Sequence, residues 1–168
     1  MTAIVGILCA DGLVIGTDSS VTFAAGQLRT IEQPIEKLYI VGDMIIVAGT
    51  GQHGLGQRFG RVVEIELGKS LFTKTNHVTY VGKRLAAAGI EDFTSTNAPK
   101  NAYGALVGFP LGDAPHICEF AVADFQPEFK DSKMWYVSMG SGQPITDPFL
   151  AFIRDVWITL EVLRVRRP

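Results

Sequence analysis

Short apolar stretches separated by turn-forming residues dominate the first third of the chain. Aspartate and glycine lie between the two members of each pair of stretches, at Asp11-Gly12 and at Gly42-Asp43. Such dipeptides favour tight hairpin turns, because glycine adopts positive φ without a steric penalty. The pattern therefore predicts four strands in two antiparallel hairpins, which pair residues 3–9 with 13–17 and residues 37–41 with 44–49.

The spacing of apolar residues then changes to every third or fourth position, which is typical of helices. One helix is predicted from Gln52 to about Leu67. A second helix is predicted from near Asn76 to Ala88, with Gly89 as its C-cap.

Strand patterns return in the second half of the chain, at 103–109, 116–123 and 134–139. Thr146-Asp147-Pro148 then resembles the N-cap and first turn of a last helix, because proline is favoured where the first backbone N–H has no partner. The apolar residues of this helix are predicted to share one side. The predicted order is strands, two helices, strands and a helix.

The size and charge of the chain exclude several classes of protein. It has 168 residues, which is typical of one domain, and 47% of them are hydrophobic, enough for a buried core. Its 15 basic and 17 acidic residues nearly balance, which argues against a nucleic-acid binder. No apolar run approaches the roughly 20 residues that span a bilayer. With no basic leader at its start, the chain is expected to act in the cytoplasm, away from membranes.

Cysteines and histidines offer no metal or disulfide pattern. Cys9 and Cys118 are too few and too far apart for a disulfide framework, and we interpret both as small buried apolar residues. The three histidines lack the spacing of a zinc site. No metal or cofactor is therefore expected.

Thr2 is the first candidate for chemistry, because only the initiator Met1 precedes it at the edge of the first predicted strand. Removal of Met1 would leave a hydroxyl and a free α-amine on one residue. An α-amine has a pKa of about 7.7 to 8.0, so part of it is unprotonated near neutrality and can accept the hydroxyl proton. This is the N-terminal threonine form of an activated nucleophile, although Met-Thr alone is a common start of a chain.

Asp18 and Lys37 are candidates for assisting that nucleophile. Asp18 follows a predicted strand, and Lys37 begins an otherwise apolar strand. A lysine in this position either extends outward to solvent or is held inward by a carboxylate. If Lys37 points inward beside Asp18, its charge favours loss of the Thr2 hydroxyl proton.

Two glycine-containing loops carry alternative interpretations. Residues Gly49 to Gly54 fit the G-x-G-x-x-G pattern of dinucleotide sites, but the predicted antiparallel hairpin before them and second helix after them argue against a parallel βαβ unit. The loop could instead present backbone N–H groups to a developing negative charge, or be a close-packed turn. Gly140-Ser141-Gly142 could place a serine hydroxyl at the end of a sheet, or be an ordinary loop.

Taken together, the motifs resemble the proteasome β-subunits, a family of N-terminal-nucleophile hydrolases. The chain is most similar to the compact, propeptide-free proteasome-like peptidase subunits of bacteria. The resemblance extends from Thr2 to about Asp155 and rests on elements that occur in the family's order: Thr2-Ala3-Ile4-Val5-Gly6, Asp11-Gly12-Leu13-Val14, Thr17-Asp18-Ser19, Lys37, Ala48-Gly49-Thr50-Gly51 and Gly140-Ser141-Gly142.

The resemblance implies a fold and a set of roles. The fold is α+β, a four-layer α-β-β-α sandwich of two antiparallel sheets. Thr2 would attack the peptide carbonyl, with Lys37 assisting it electrostatically and Asp18 orienting Lys37. The Gly51 N–H would face the oxyanion, and the Ser141 hydroxyl would hydrogen-bond the Thr2 amine. The pocket for the residue before the scissile bond would be lined by Val21, Ile35, Gly49 and His53, with Gly49 leaving space for an apolar side chain.

The resemblance also implies partners. Identical subunits would form rings of six or seven, which an ATPase unfoldase or a cap supplies with unfolded polypeptides. An inert ring subunit and, less favoured, a nucleotide-binding protein that uses Gly49 to Gly54 are the alternatives. The single domain covers residues 1–168, but residues 157–168 depart from the family, and the expected last strands have no counterpart after Gly142.

Overall fold

In the computed structural model, the backbone is described for residues 2–25 and 28–165, and the side chains for residues 2–19 and 34–156. The described residues form strands and helices in the order β1 (Ile4–Leu8), β2 (Leu13–Thr17), β3 (Ser20–Ala25), β4 (Leu28–Pro34), β5 (Leu38–Val41), β6 (Ile45–Gly51), α1 (His53–Gly68), α2 (Val78–Thr94), β7 (Tyr103–Leu111), β8 (Ala114–Phe120), β9 (Pro127–Phe129), β10 (Tyr136–Met139) and α3 (Gln143–Val165).

All described strand pairs are antiparallel. The larger sheet has five strands in the order β5-β6-β7-β8-β9, and the smaller one has three in the order β10-β1-β2. Strands β3 and β4 form a separate two-stranded ribbon. Short connections favour this arrangement, because consecutive antiparallel strands need only a turn between them.

Two apolar cores hold the layers together. The first lies between α1 and α2 and one face of the five-stranded sheet, and it is centred on the fully buried Phe59. The second lies between the two sheets and contains Ile4 and Leu106. Helix α3 contacts β10 of the smaller sheet. The predicted α+β sandwich of two antiparallel sheets with helices is thus confirmed.

The prediction of four strands before the first helix is wrong, because the described residues form six strands before it. The ribbon of β3 and β4 was missed, since its residues include charged and small side chains rather than a continuous apolar run. The second helix is also longer than predicted. It continues to Thr94, and Gly89 lies inside it, where an added Cβ would come within 2.8 Å of the Phe125 ring. Gly89 is therefore a site of close packing and not a C-cap.

The last helix differs from the prediction at its start and on its surface. It begins at Gln143, so Pro148 lies inside it. Of the side predicted to be apolar, Phe149 and Phe152 are exposed by 61% and 63%, so the described part of α3 leaves much of that face uncovered. Cys9 is exposed, contrary to the prediction, whereas Cys118 is buried as expected.

The described residues include no helix long and apolar enough to cross a membrane. They also contain no group of histidine, cysteine, aspartate or glutamate side chains close enough together to hold a metal ion.

Glu66 is a charged residue on the buried face of α1, with 3% exposure. It accepts hydrogen bonds from Arg84 Nε and Nη2 at 2.9 and 2.8 Å and from Lys69 Nζ at 2.9 Å. The hydrogen bonds from Arg84 are the main reason why the pKa of the Glu66 carboxyl lies below its ordinary value.

We expect Glu66→Gln to lower the free energy of unfolding at pH 7 by about 2 kcal/mol, since charged hydrogen bonds contribute about 1.5 to 3 kcal/mol. Folding lowers the pKa of the Glu66 carboxyl, so its hydrogen bonds stabilise the protein fully at pH values above the unfolded pKa of about 4.3. This stabilisation is lost as the pH falls through the pKa of the folded state. Urea unfolding of both proteins at neutral and acidic pH measures it. A difference that stays constant with pH would contradict the ion-pair assignment.

Candidate active site

The strand register brings three distant segments to one edge of the smaller sheet. Ile4 of β1 pairs with Thr17 of β2 on one side and with Met139 of β10 on the other. The residues just before Ile4 therefore lie beside those that follow Thr17 and Met139. Side-chain as well as backbone hydrogen bonds connect these segments.

Asp18 and Ser141 each accept one of these hydrogen bonds. The Ala3 N–H donates to Asp18 Oδ1 at 2.8 Å. The Thr2 nitrogen lies 2.9 Å from the Ser141 hydroxyl oxygen, which accepts its hydrogen bond. Met1, which precedes that nitrogen, lies outside the described residues.

Lys37 reaches this edge from the larger sheet, where it immediately precedes β5. Its side chain is only 7% exposed, and Nζ lies 2.7 Å from Asp18 Oδ2 and 3.2 Å from Thr2 Oγ1. The inward orientation is therefore the observed one, and the alternative of a lysine extended into solvent is wrong. One ammonium group connects a carboxylate to the Thr2 hydroxyl, which is the arrangement that favours an alkoxide.

The Gly140-Ser141-Gly142 loop follows the Thr2 backbone closely. Gly142 N–H donates to the Thr2 carbonyl oxygen at 2.8 Å. Gly140 has a φ of +92°, and an added Cβ would lie 2.4 Å from that same oxygen. Only glycine meets both conditions without strain. The loop therefore holds the Thr2 backbone in place as well as connecting β10 to α3.

Gly51 ends β6 and precedes the first turn of α1. Its φ is +105°, and an added Cβ would lie 2.2 Å from the Ala102 carbonyl oxygen. Helix α1 begins two residues later, at His53. Because β6 pairs antiparallel with β7, the next strand after the helices, the parallel unit of a dinucleotide fold is absent here.

One small cavity adjoins Thr2, Lys37 and Gly51. Of the residues proposed from sequence to bind substrate, Ile35, Gly49 and His53 line it. Val21 belongs to β3, but its side chain lies outside the described residues. The structure thus brings five candidate catalytic residues and three candidate substrate residues to one place in the fold.

Two tyrosines that the sequence did not indicate, Tyr39 and Tyr103, also line the cavity. Burial raises the pKa of both phenols above the ordinary value. A smaller contribution comes from Glu36 for Tyr39 and from Tyr39 for Tyr103. Each tyrosine lies in a strand whose pattern predicts only that it is apolar, so no signal in the sequence distinguished them from core residues.

Comparison with known proteins gives an independent result. The family model described as Proteasome subunit matches residues 2–151. No curated protein matches the chain. Among solved structures, the fold is similar to that of a mutant of Anbu from Hyphomicrobium sp. strain MC1, with a TM-score of 0.64 and 15% sequence identity. That similarity covers 88% of this chain but only 65% of the Anbu chain, and at this identity it shows the fold alone.

Proposed function

Since this chain belongs to the proteasome subunit family, we propose that it is a threonine-type endopeptidase subunit whose nucleophile is Thr2, exposed by removal of Met1. The single observation that carries the proposal is the position of Lys37 Nζ, 3.2 Å from Thr2 Oγ1 and 2.7 Å from Asp18 Oδ2. Asp18 already supplies the counter-charge for the buried ammonium, so the second contact of Lys37, with the Thr2 hydroxyl, is available to stabilise negative charge on that oxygen.

The reaction proceeds through an acyl-enzyme. Thr2 Oγ1 attacks the peptide carbonyl while the α-amine, once free, accepts the hydroxyl proton and later delivers it to the leaving amine. Lys37 stabilises the negative charge on the attacking oxygen, and Asp18 holds Lys37 in place. Water then attacks the ester, the same amine accepts a proton from it, and the hydroxyl of Thr2 is restored as the carboxylic acid product leaves.

One backbone group and several side chains supply the remaining contacts. The N–H of Gly51 is assigned to the oxyanion, since Gly51 lines the cavity beside Thr2 in a conformation that glycine adopts without strain. Ser141 Oγ orients the Thr2 nitrogen through the 2.9 Å hydrogen bond. Ile35, Gly49 and His53 line the part of the cavity that we assign to the side chain of the substrate residue before the scissile bond.

We assign the subunit to a ring of six or seven identical copies that encloses the active sites. The exposed apolar side chains of α3 support burial against another copy, since soluble monomers rarely expose such a patch. They are Ile145, Phe149, Phe152 and Val156. An ATPase unfoldase or a cap would supply unfolded polypeptides to the ring. Electron microscopy of the purified protein measures ring size directly, and a monomer in solution would contradict the assignment.

A peptide epoxyketone tests the nucleophile and the base in one experiment. Its carbonyl carbon accepts the Thr2 hydroxyl, and its epoxide is opened by the α-amine, so a stable ring forms only when one residue offers both groups. We expect intact mass spectrometry to find a chain that lacks Met1 and carries one probe, with the adduct mapped to Thr2. A chain that retains Met1 and binds no probe would instead be the inert ring subunit.

A further inference from the structure

The hydroxyl group of Tyr103 is buried without a partner. The residue is 4% exposed, and its oxygen has no hydrogen-bond partner among residues 2–19 and 34–156, whose side chains are described. A buried hydroxyl that makes no hydrogen bond costs about 1 to 3 kcal/mol. Native structures contain few such groups, and a functional role or a bound water or ion commonly explains them.

The geometry places this hydroxyl at the wall of the cavity beside Thr2. Gly49 lies on β6, and a Cβ added to it would come within 2.3 Å of the Tyr103 hydroxyl oxygen. The space beside Gly49 that was expected for substrate is thus occupied by the phenol. The wall of the cavity therefore contains a polar group where only apolar contacts were expected.

Tyr39 adds a second hydroxyl on the same side. A Cβ added to Gly56, in the first turn of α1, would lie 3.0 Å from the Tyr39 oxygen and 3.6 Å from the Tyr103 oxygen. Both hydroxyls therefore approach one point on the helix, and both residues line the cavity that contains Thr2. A phenol both donates and accepts hydrogen bonds, so the pair can satisfy a group that also does both.

We propose that Tyr103 is a specificity-determining residue, whose hydroxyl selects substrates with a carboxamide side chain, asparagine or glutamine, immediately before the scissile bond. This inference rests on the proposed peptidase function. It replaces the apolar preference expected from Ile35 and Gly49 with a preference for an uncharged polar side chain.

The chemistry of the cavity distinguishes a carboxamide from its competitors. An aliphatic side chain of the same shape would leave the buried Tyr103 hydroxyl without a partner, whereas a carboxamide would supply one. A carboxylate would lose hydration on entry, and the ammonium nearest to it, Lys37, is already paired with Asp18. Since one unpaired group corresponds to about tenfold to a hundredfold in rate, the preference should be readily measurable.

The test uses pairs of peptides that differ only in the residue before the cleaved bond and have matched shapes: asparagine against leucine, and glutamine against methionine. We expect the wild type to show a kcat/KM at least about tenfold higher for the carboxamide in one of these pairs. In Tyr103→Phe, which deletes a single oxygen atom, that ratio should fall to about one or below. Tyr80→Phe is the matched control, because Tyr80 is 54% exposed on α2 and should leave the ratio unchanged.

The melting temperature distinguishes a substrate-binding role of the Tyr103 hydroxyl from a structural role. Because the Tyr103 hydroxyl has no described partner, Tyr103→Phe should not lower the melting temperature, and removal of the unpaired group should leave it equal or higher. A clear loss of stability would mean that the hydroxyl has an internal structural partner. That result would overturn the assignment to substrate, as would an unchanged rate ratio in Tyr103→Phe.

Failure of this inference and failure of the peptidase function give different results. A wild type that cleaves through Thr2 but prefers leucine and methionine overturns the inference alone. If no peptide is cleaved, the peptidase proposal fails, and calorimetry of peptides that end in asparagine or leucine decides about Tyr103. Tighter binding of the asparagine peptide, lost in Tyr103→Phe, would retain the selective pocket, and equal binding would reject it.

Discussion

Replacing Thr2 with alanine is expected to abolish peptide hydrolysis, with a fall in kcat/KM of about 10³-fold or more, as for the loss of other catalytic nucleophiles. The substitution removes the oxygen atom that lies 3.2 Å from Lys37 Nζ while the chain on either side is unchanged. Thr2→Ser is the conservative comparison, because serine retains the hydroxyl and should retain measurable activity. A fluorogenic peptide assay on the purified proteins measures both.

Processing of the N-terminus must be matched between these variants. Alanine, serine and threonine are all small, so Met1 removal should proceed equally, and intact mass confirms it for each protein. Under those conditions Thr2→Ser and Thr2→Ala differ from each other only in the hydroxyl. Hydrolysis by Thr2→Ala at the wild-type rate would show that another group attacks the substrate, and the proposed mechanism would have to be abandoned.

Replacing Lys37 with methionine should reduce kcat/KM by about 10²- to 10³-fold, the usual effect of removing one electrostatic stabiliser of a transition state. Methionine preserves the length and most of the volume of the buried side chain but removes the charge that lies between Asp18 and Thr2. The loss should appear mainly in kcat, since Lys37 acts on the charge that develops during attack and contributes little to binding of the ground state.

Lys130 offers a matched control for this experiment. It is also 7% exposed and is paired with Glu119 and Glu128, but it lies outside the cavity that contains Thr2. Lys130→Met therefore removes an equally buried ammonium that is paired with two carboxylates, and it should lower stability without a comparable loss of hydrolysis. If both variants lose activity to the same extent, general destabilisation rather than a local role of Lys37 explains the result.

The strand and helix pattern of this chain was largely predictable. The hairpins on either side of Asp11-Gly12 and Gly42-Asp43 and the helix that follows Gln52 occur where the apolar periodicity places them. Local patterns identify such elements because each depends on residues within one or two turns of the chain. The ribbon of β3 and β4 and the exposed side of α3 were not predicted, since whether a face is covered depends on what other segments pack against it.

The candidate site was likewise predictable only in part. Thr2, Lys37 and Ser141 could be named from their neighbours in the sequence, but contact between them depends on the register of β1 with β10 and on the approach of the two sheets. For Tyr103 no local signal existed, because a tyrosine in an apolar strand resembles any other core aromatic. Tyr103 is distinguished by its tertiary surroundings, which leave its hydroxyl oxygen without a hydrogen-bond partner among the described residues.

The sequence alone determined which residue types were available for chemistry: a threonine near the N-terminus, a lysine at the start of an apolar strand, an aspartate after another, and glycines where the backbone needs positive φ. Tertiary structure alone decided that these groups meet, that Lys37 points inward, and that a phenol fills the space beside Gly49. The physical reason is the separation along the chain over which each effect acts. Periodicity and turn preference act between near neighbours, whereas hydrogen bonding and desolvation at the site join atoms as much as 139 positions apart in the chain.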